Sequence, residues 1–117
     1  MGEKLACRFL RRNRYKVLYR NFRGRRGGEI DIVCRDRDTL VFIEVKTRTR
    51  EDFGRPLAAV DQQKRNRISR GALAWLRLLD NPDILFRFDV VEVVISESKP
   101  RIELIRDAFQ LSRPYIY

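Results

Sequence analysis

The stretch from Gly27 to Arg48, GGEIDIVCRDRDTLVFIEVKTR, sets acidic residues among aliphatic ones in two runs of period two. From Gly28 to Cys34, alternation puts Ile30, Ile32 and Cys34 on one face of a strand and Glu29, Asp31 and Val33 on the other. From Leu40 to Lys46 it groups Val41, Ile43 and Val45 against Phe42, Glu44 and Lys46. Arg35 to Thr39, rich in Asp and Arg, suits the turn between them. Paired as a hairpin, the strands bring Asp31, Glu44 and Lys46 together near one end of a sheet, with Glu29 beside them. A strand pair that served only a hydrophobic core would not need carboxylates there.

What surrounds the hairpin narrows the chemistry. With 117 residues the chain is expected to form a single domain, 1–117, burying roughly two-thirds of its unfolded surface. Its 26 basic and 16 acidic residues leave a net charge of +10, which attracts polyanions, nucleic acid foremost and anionic membrane second. No apolar run approaches the ~20 residues that span a bilayer, so no membrane partner is expected. The start MGEKLACRFL has an acid at Glu3 and no long apolar segment, unlike a signal peptide, and Ala6 stands where myristoylation needs Ser or Thr. A cytoplasmic location is expected. The chain has no histidine, which removes the usual base for a serine or cysteine nucleophile and leaves too few ligands for tetrahedral zinc. Cys7 and Cys34 read as small buried apolar residues in a reducing compartment. Metal chemistry would then use oxygen ligands, which points to magnesium or manganese.

Along the chain, residues 2 to 13 read as an amphipathic helix with Leu5, Ala6, Phe9 and Leu10 on one face, a basic edge of Arg8, Arg11, Arg12 and Arg14, and a stop at Asn13. A strand is expected over 15 to 23, with Val17 and Tyr19 sharing a face. RGRRGG, from Arg23 to Gly28, reads as a mobile basic turn whose guanidiniums face solvent or phosphate. After Lys46, TRTREDFGRP reads as a loop. A helix is expected from Leu57 or Ala58 to Leu79, polar at its start and buried at its end. Residues 84 to 96 read as a long strand, making a parallel strand–helix–strand crossover. An edge strand over 101 to 105 precedes an aromatic tail expected to pack on the core.

Hydrolysis of a phosphodiester needs a cation to neutralise developing charge, a positioned water, and a group that helps the water attack. Asp31 and Glu44 on adjacent strands are suited to hold magnesium, with the Val45 carbonyl as a third oxygen ligand and Lys46 directed at the water. The plainer reading is a cross-strand ion pair of small energetic worth. A Glu-x-Lys triplet is weak by itself. It gains weight by closing an apolar strand, following an acidic one, and lying in a basic chain without histidine.

GEKLACRFL, NFRGRRGGEIDIV, LVFIEVKTR, VDQQKRNRI, FRFDVV and the closing AF resemble, in that order and along nearly the whole chain, the YraN family of bacterial proteins. That family is similar to the restriction-endonuclease-like, PD-(D/E)XK, fold and to archaeal Holliday junction resolvases. The resemblance implies an α/β core of a helix, three strands, a helix and a strand, with a mixed central sheet flanked by helices. It also implies a magnesium-dependent endonuclease site. Asp31 matches the metal-binding aspartate, Glu44 the second acidic ligand and Lys46 the catalytic lysine. Glu3 matches an additional acidic position, and the polar residue of the second helix is Gln63 or Lys64. No Pro-Asp pair precedes the site; Ile30-Asp31 stands there instead. Glu29 has no matched role and reads as a supporting or turn residue.

The reading reached is a nucleic-acid-binding domain, its partner DNA before RNA, that cuts by two-carboxylate, magnesium-assisted hydrolysis. Arg23, Arg25, Arg26, Arg48 and Arg50, in loops flanking the site, are the expected phosphate clamps, joined by Lys64 and Arg67 on the helix. Junction resolvases act as pairs, so a homodimer is expected by analogy. Two alternatives stay open: a catalytically silent nucleic-acid-binding accessory, and a protein-interaction module.

Overall fold

In the computed structural model, residues 2–49, 60–80, 82–95 and 99–112 are described. Helix α1 spans Gly2–Arg12, with Glu3 in its first turn and Arg11 and Arg12 in its last, the arrangement that the helix dipole favours. Three strands follow, β1 (Lys16–Arg23), β2 (Glu29–Asp36) and β3 (Thr39–Arg48). Helix α2 (Gln62–Leu78) then leads to β4 (Leu85–Val94) and β5 (Arg101–Phe109). The sheet order is β1-β2-β3-β4-β5, antiparallel except for the parallel β3–β4 pair that α2 connects. This is the expected α/β architecture, a mixed sheet with a helix on each face, and it is consistent with a nuclease-like core.

Each helix covers its own cluster. Ala6, Cys7 and Leu10 of α1 pack with Ile32, Cys34, Val41, Ile43, Val91 and Val93. Ile68, Ala72 and Leu76 of α2 pack with Val33, Phe42, Phe88, Val90 and Phe109 on the opposite face. Removing each large apolar side chain from water is worth roughly 1.5–3 kcal/mol, so these two seams carry most of the fold's stability. Both cysteines are buried and free, as expected.

Several expectations change. Cys7 rather than Phe9 completes the buried stripe of α1, and the helix is stopped by Arg14 in the left-handed region at φ 68°, with the Asn13 amide donating to the Phe9 carbonyl at 2.8 Å. The β1–β2 register shifts between Val17 and Tyr19. This bulge sends Val17 to the α1 face while Tyr19 meets Trp75 of α2, so the two do not share a face. Ile30 lies under α2 rather than with Ile32 and Cys34. The alternation breaks at Asn21, held at φ 56° between the pairs Arg20↔Ile32 and Phe22↔Ile30 and therefore opposite Asp31.

Helix α2 starts later than the periodicity suggests. Asp61 is its N-cap and accepts from the Lys64 backbone N–H at 2.8 Å, which leaves buried Val60 ahead of the helix. Residues 57–59, where the start was expected, and Arg50 lie outside the described residues. Its end is not buried: Leu78 is 70% exposed and Leu79 47%, because Leu76 is the last position packed into the core. β3 runs on through Arg48, and β5 continues to Phe109, whose ring stacks on Phe88 at 5.0 Å. Tyr115 and Tyr117 of the tail lie outside the described residues.

Candidate functional site

The β2–β3 ladder runs from Asp36↔Thr39 to Ile32↔Ile43 and stops one residue short of Asp31 and Glu44. There a side chain replaces the ladder. The Asp31 carboxylate accepts the Val45 backbone N–H at 2.8 Å, satisfying a donor that strand pairing leaves over. Glu44, next along β3, is only 5% exposed and lies beside the Asp31 carboxyl. Burial first, then the neighbouring Asp31 carboxyl, push the Glu44 carboxyl up to about 9, against the opposing pull of Lys64. Glu44 therefore favours its protonated form near neutral pH.

Lys64 resolves one alternative. Its Nζ lies 3.4 Å from Glu44 Oε2, whereas Gln63 on the same turn is exposed. The Asp61 cap fixes this turn of α2, so a local hydrogen bond decides which helix residue reaches the carboxylates. The Lys64 contact lacks hydrogen-bond alignment, and Oε2 remains a buried oxygen without a hydrogen-bond donor among the described residues. Lys46 follows two positions along β3, half-buried and on the Glu44 face.

The parallel β3–β4 register sets Lys46 beside Glu92, which is 1% exposed. Glu92 was not foreseen from the sequence, although its place in an apolar strand was a signal: a carboxylate rarely sits in such a run without a partner. Its Oε1 accepts from Arg48 at 3.4 Å, while Oε2 is buried without a hydrogen-bond donor among the described residues. Arg48 was expected to be a loop clamp on phosphate. It is instead the last residue of β3, its side chain 12% exposed and turned to Glu92, because the strand extends that far.

The other basic residues frame the site. The β1–β2 turn, expected to be mobile, is closed by hydrogen bonds from Gly24 N to the Gly28 carbonyl at 3.1 Å and from Gly27 N to the Gly24 carbonyl at 3.3 Å. It presents Arg23, Arg25 and Arg26 to solvent at the end of the sheet that carries Asp31. Gly28, at φ 89°, lets the turn press against α2; a Cβ there would lie 2.4 Å from the Gly71 nitrogen. Arg67 is exposed on α2. Glu29 accepts from Arg23 at 3.3 Å, so it orients the turn. Glu3 accepts from Arg20 at 3.2 Å and from Asn21 at 3.1 Å, bracing the β1 kink opposite Asp31. Of the expected set, Asp31, Glu44 and Lys64 touch one another directly or in sequence; Glu3 and Glu29 serve neighbouring strands.

A second polar cluster, absent from the sequence reading, joins the α1–β1 connection, β2, β4 and β5. Arg87 donates to Asp89 at 3.0 Å, to Asp36 at 2.9 Å and to the Tyr15 hydroxyl at 2.8 Å, and fully buried Asp89 also accepts the Asp107 N–H. Every member has a partner, so it reads as a closed structural network. Burial raises the Tyr15 hydroxyl and sends the Cys34 thiol up to about 12, which keeps that sulfur an inert thiol.

Asp31 and Glu44 supply oxygen donors of the kind that hard divalent cations take, although no group of three or more acidic, cysteine or histidine side chains comes together among the described residues. No helix among them is long and apolar enough to cross a membrane. Residues 2–93 match the sequence pattern described as "Uncharacterised protein family UPF0102". A UPF0102 protein of Geobacter metallireducens is 51% identical over 111 residues, covering 95% of this chain and 90% of the relative. One from Geobacter sulfurreducens is 50% identical over 112 residues, covering 95% and 87%. One from Nocardia farcinica is 45% identical over 109 residues, covering 92% and 85%. The family resemblance read from the motifs is thereby borne out.

Proposed function

The chain belongs to the uncharacterised protein family UPF0102, and on that footing we propose that it is a magnesium-dependent nuclease that hydrolyses phosphodiester bonds, branched DNA being the favoured substrate. One observation carries this reading: where the β2–β3 ladder ends, half-buried Asp31 and buried Glu44 stand on adjacent strands with Lys64 against Glu44, two carboxylates that a strand pair does not need. A strand pair evolved for stability alone would gain by losing one carboxyl. The buried Glu44 Oε2, without a hydrogen-bond donor among the described residues, and the all-oxygen donor set fit a hard divalent cation held by Asp31, Glu44 and the Val45 carbonyl.

Bound magnesium or manganese would neutralise charge developing on the phosphate oxygens. The chain's own residues do the rest. The Val45 N–H fixes the Asp31 carboxylate, so its orientation does not depend on substrate. Lys46, on the Glu44 face of β3, positions and polarises the attacking water. Lys64, on the first turn of α2, offers its ammonium to Glu44 or to a phosphate, exchanging one anion for another as substrate arrives. Arg23, Arg25, Arg26 and Arg67 hold the flanking backbone through its charge. A homodimer and a cytoplasmic location complete the proposal.

The test is cleavage of single-stranded, duplex, flap and four-way-junction DNA, with RNA counterparts, in magnesium or manganese. Cutting that disappears in Asp31→Asn and in Glu44→Gln supports the site; cutting that survives both overturns it. Salt-sensitive binding without cutting would favour the silent accessory protein, and binding of neither nucleic acid the interaction module.

A further inference from the structure

Beside the carboxylates, and not part of them, a cavity of about 430 Å³ opens between the β1–β2 turn and the last turns of α2. Four arginines line it, Arg23, Arg25 and Arg26 from the turn and Arg77 from the helix. Its apolar lining is exposed Leu78, with Ala74 and buried Phe22. The combination is unusual: among the described residues no carboxylate lines the cavity, and Leu78, 70% exposed, offers an apolar side chain among guanidiniums. Among the described residues, Glu29 engages Arg23 alone of these arginines, at 3.3 Å. The backbone of the turn is held by its own hydrogen bonds and by the Gly28–Gly71 contact, so the arginines are displayed from a fixed base.

Each wall selects a different part of a ligand. Guanidiniums take phosphate oxygens, whereas exposed Leu78 takes a flat apolar face. A base inside a duplex has both faces occupied by its neighbours and cannot use that wall; an unpaired base can. The volume falls in the range of small-ligand sites. The turn leads directly into β2, so a strand seated here is carried toward Asp31.

We propose that this arginine-lined cavity binds an unpaired nucleotide of a nucleic-acid strand, its phosphate on the guanidiniums and its base against exposed Leu78. The inference rests on the nucleic-acid reading above and narrows it to substrates with single-stranded or splayed segments.

The full-length protein carries its own reporter. Trp75, the single tryptophan, meets Phe22 edge-on at 5.2 Å between ring centres, so filling the cavity should alter its fluorescence. Metal-free protein is titrated with a short oligothymidylate, a duplex of equal phosphate count, dTMP and inorganic phosphate. The oligothymidylate should quench Trp75 and bind more tightly than the duplex at the same salt. Leu78→Ser should weaken single-strand binding about tenfold and leave duplex binding unchanged. Arg77→Gln should weaken both and lower the salt slope by about one. Both side chains are exposed, so both variants should fold, as circular dichroism can verify.

Equal affinity for duplex and single strand, quenching reproduced by inorganic phosphate, or dTMP binding as tightly as the oligonucleotide each overturns the proposal. The two readings fail separately. Quenching that depends on Leu78 without any cleavage sinks the nuclease and keeps the cavity, while Asp31-dependent cleavage indifferent to Leu78→Ser and Arg77→Gln does the reverse.

Discussion

Asp31 reaches across from β2 to accept the Val45 backbone N–H at 2.8 Å, at the point where the β2–β3 ladder has ended. A carboxylate thus does the work of a strand carbonyl, and its other oxygen remains free of that bond. Replacing it separates structure from chemistry. Asp31→Asn retains an oxygen acceptor and should keep the fold within about 1 kcal/mol, while Asp31→Ala should lose about 1–2 kcal/mol by leaving the N–H unpaired. Both should lower metal-dependent cleavage by at least about a hundredfold. Urea melts and cleavage rates on the same preparations distinguish the two effects.

Glu44 should make the metal-free protein less stable as pH rises. Its carboxyl is raised in the folded state, so the folded chain binds the proton more tightly than the unfolded one. That contribution is fully present below the unfolded value of 4.5 and is lost as pH climbs toward about 9. Wild type should therefore melt at progressively lower temperature across this window. Glu44→Gln should flatten the slope and gain about 1–3 kcal/mol at pH 7. Millimolar magnesium should flatten the wild-type slope too, since a cation replaces the proton. A melting temperature that rises with pH in metal-free wild type, and not in the glutamine variant, would contradict the assignment.

Asp89 should matter to folding and not to the carboxylate pair. It is fully buried and holds Arg87 and the Asp107 N–H. Asp89→Ala leaves a guanidinium without its inner partner and should cost about 3–5 kcal/mol. Divalent-cation affinity, measured by calorimetry below the melting transition, should stay within about twofold of wild type.

The Gly28–Gly71 contact should tolerate no methyl group. A Cβ on Gly28 would meet the Gly71 nitrogen at 2.4 Å, and one on Gly71 would meet the Glu29 backbone at 2.9 Å. Gly28→Ala, at φ 89°, combines that clash with backbone strain and should cost at least about 2 kcal/mol. The two alanine changes together should cost less than their sum, because a helix already displaced by one accommodates the other. Chemical denaturation of both single variants and the double variant measures the coupling.

The sequence by itself determined the element order and the sheet's partners. Period-two runs at 29–36 and 39–48 and the long helix–strand crossover are local patterns, and hydrophobic burial enforces them. It also singled out Asp31 and Glu44, because carboxylates in aliphatic strands stand out against a core. Tertiary structure decided what depends on contacts between distant segments. The bulge after Val17 and the left-handed Asn21 switch faces that alternation alone would keep, and a one-residue change of register moves every later side chain. The choice of Lys64 over Gln63 follows from a capping bond at Asp61. Arg48 turned out to face Glu92 across the β3–β4 pair, and Leu78 to stand over the arginine turn rather than inside the core. Hydrophobic pattern specifies which residues leave water; the partners that charged residues find there are set by strand register and helix placement, which only the folded chain holds in one arrangement.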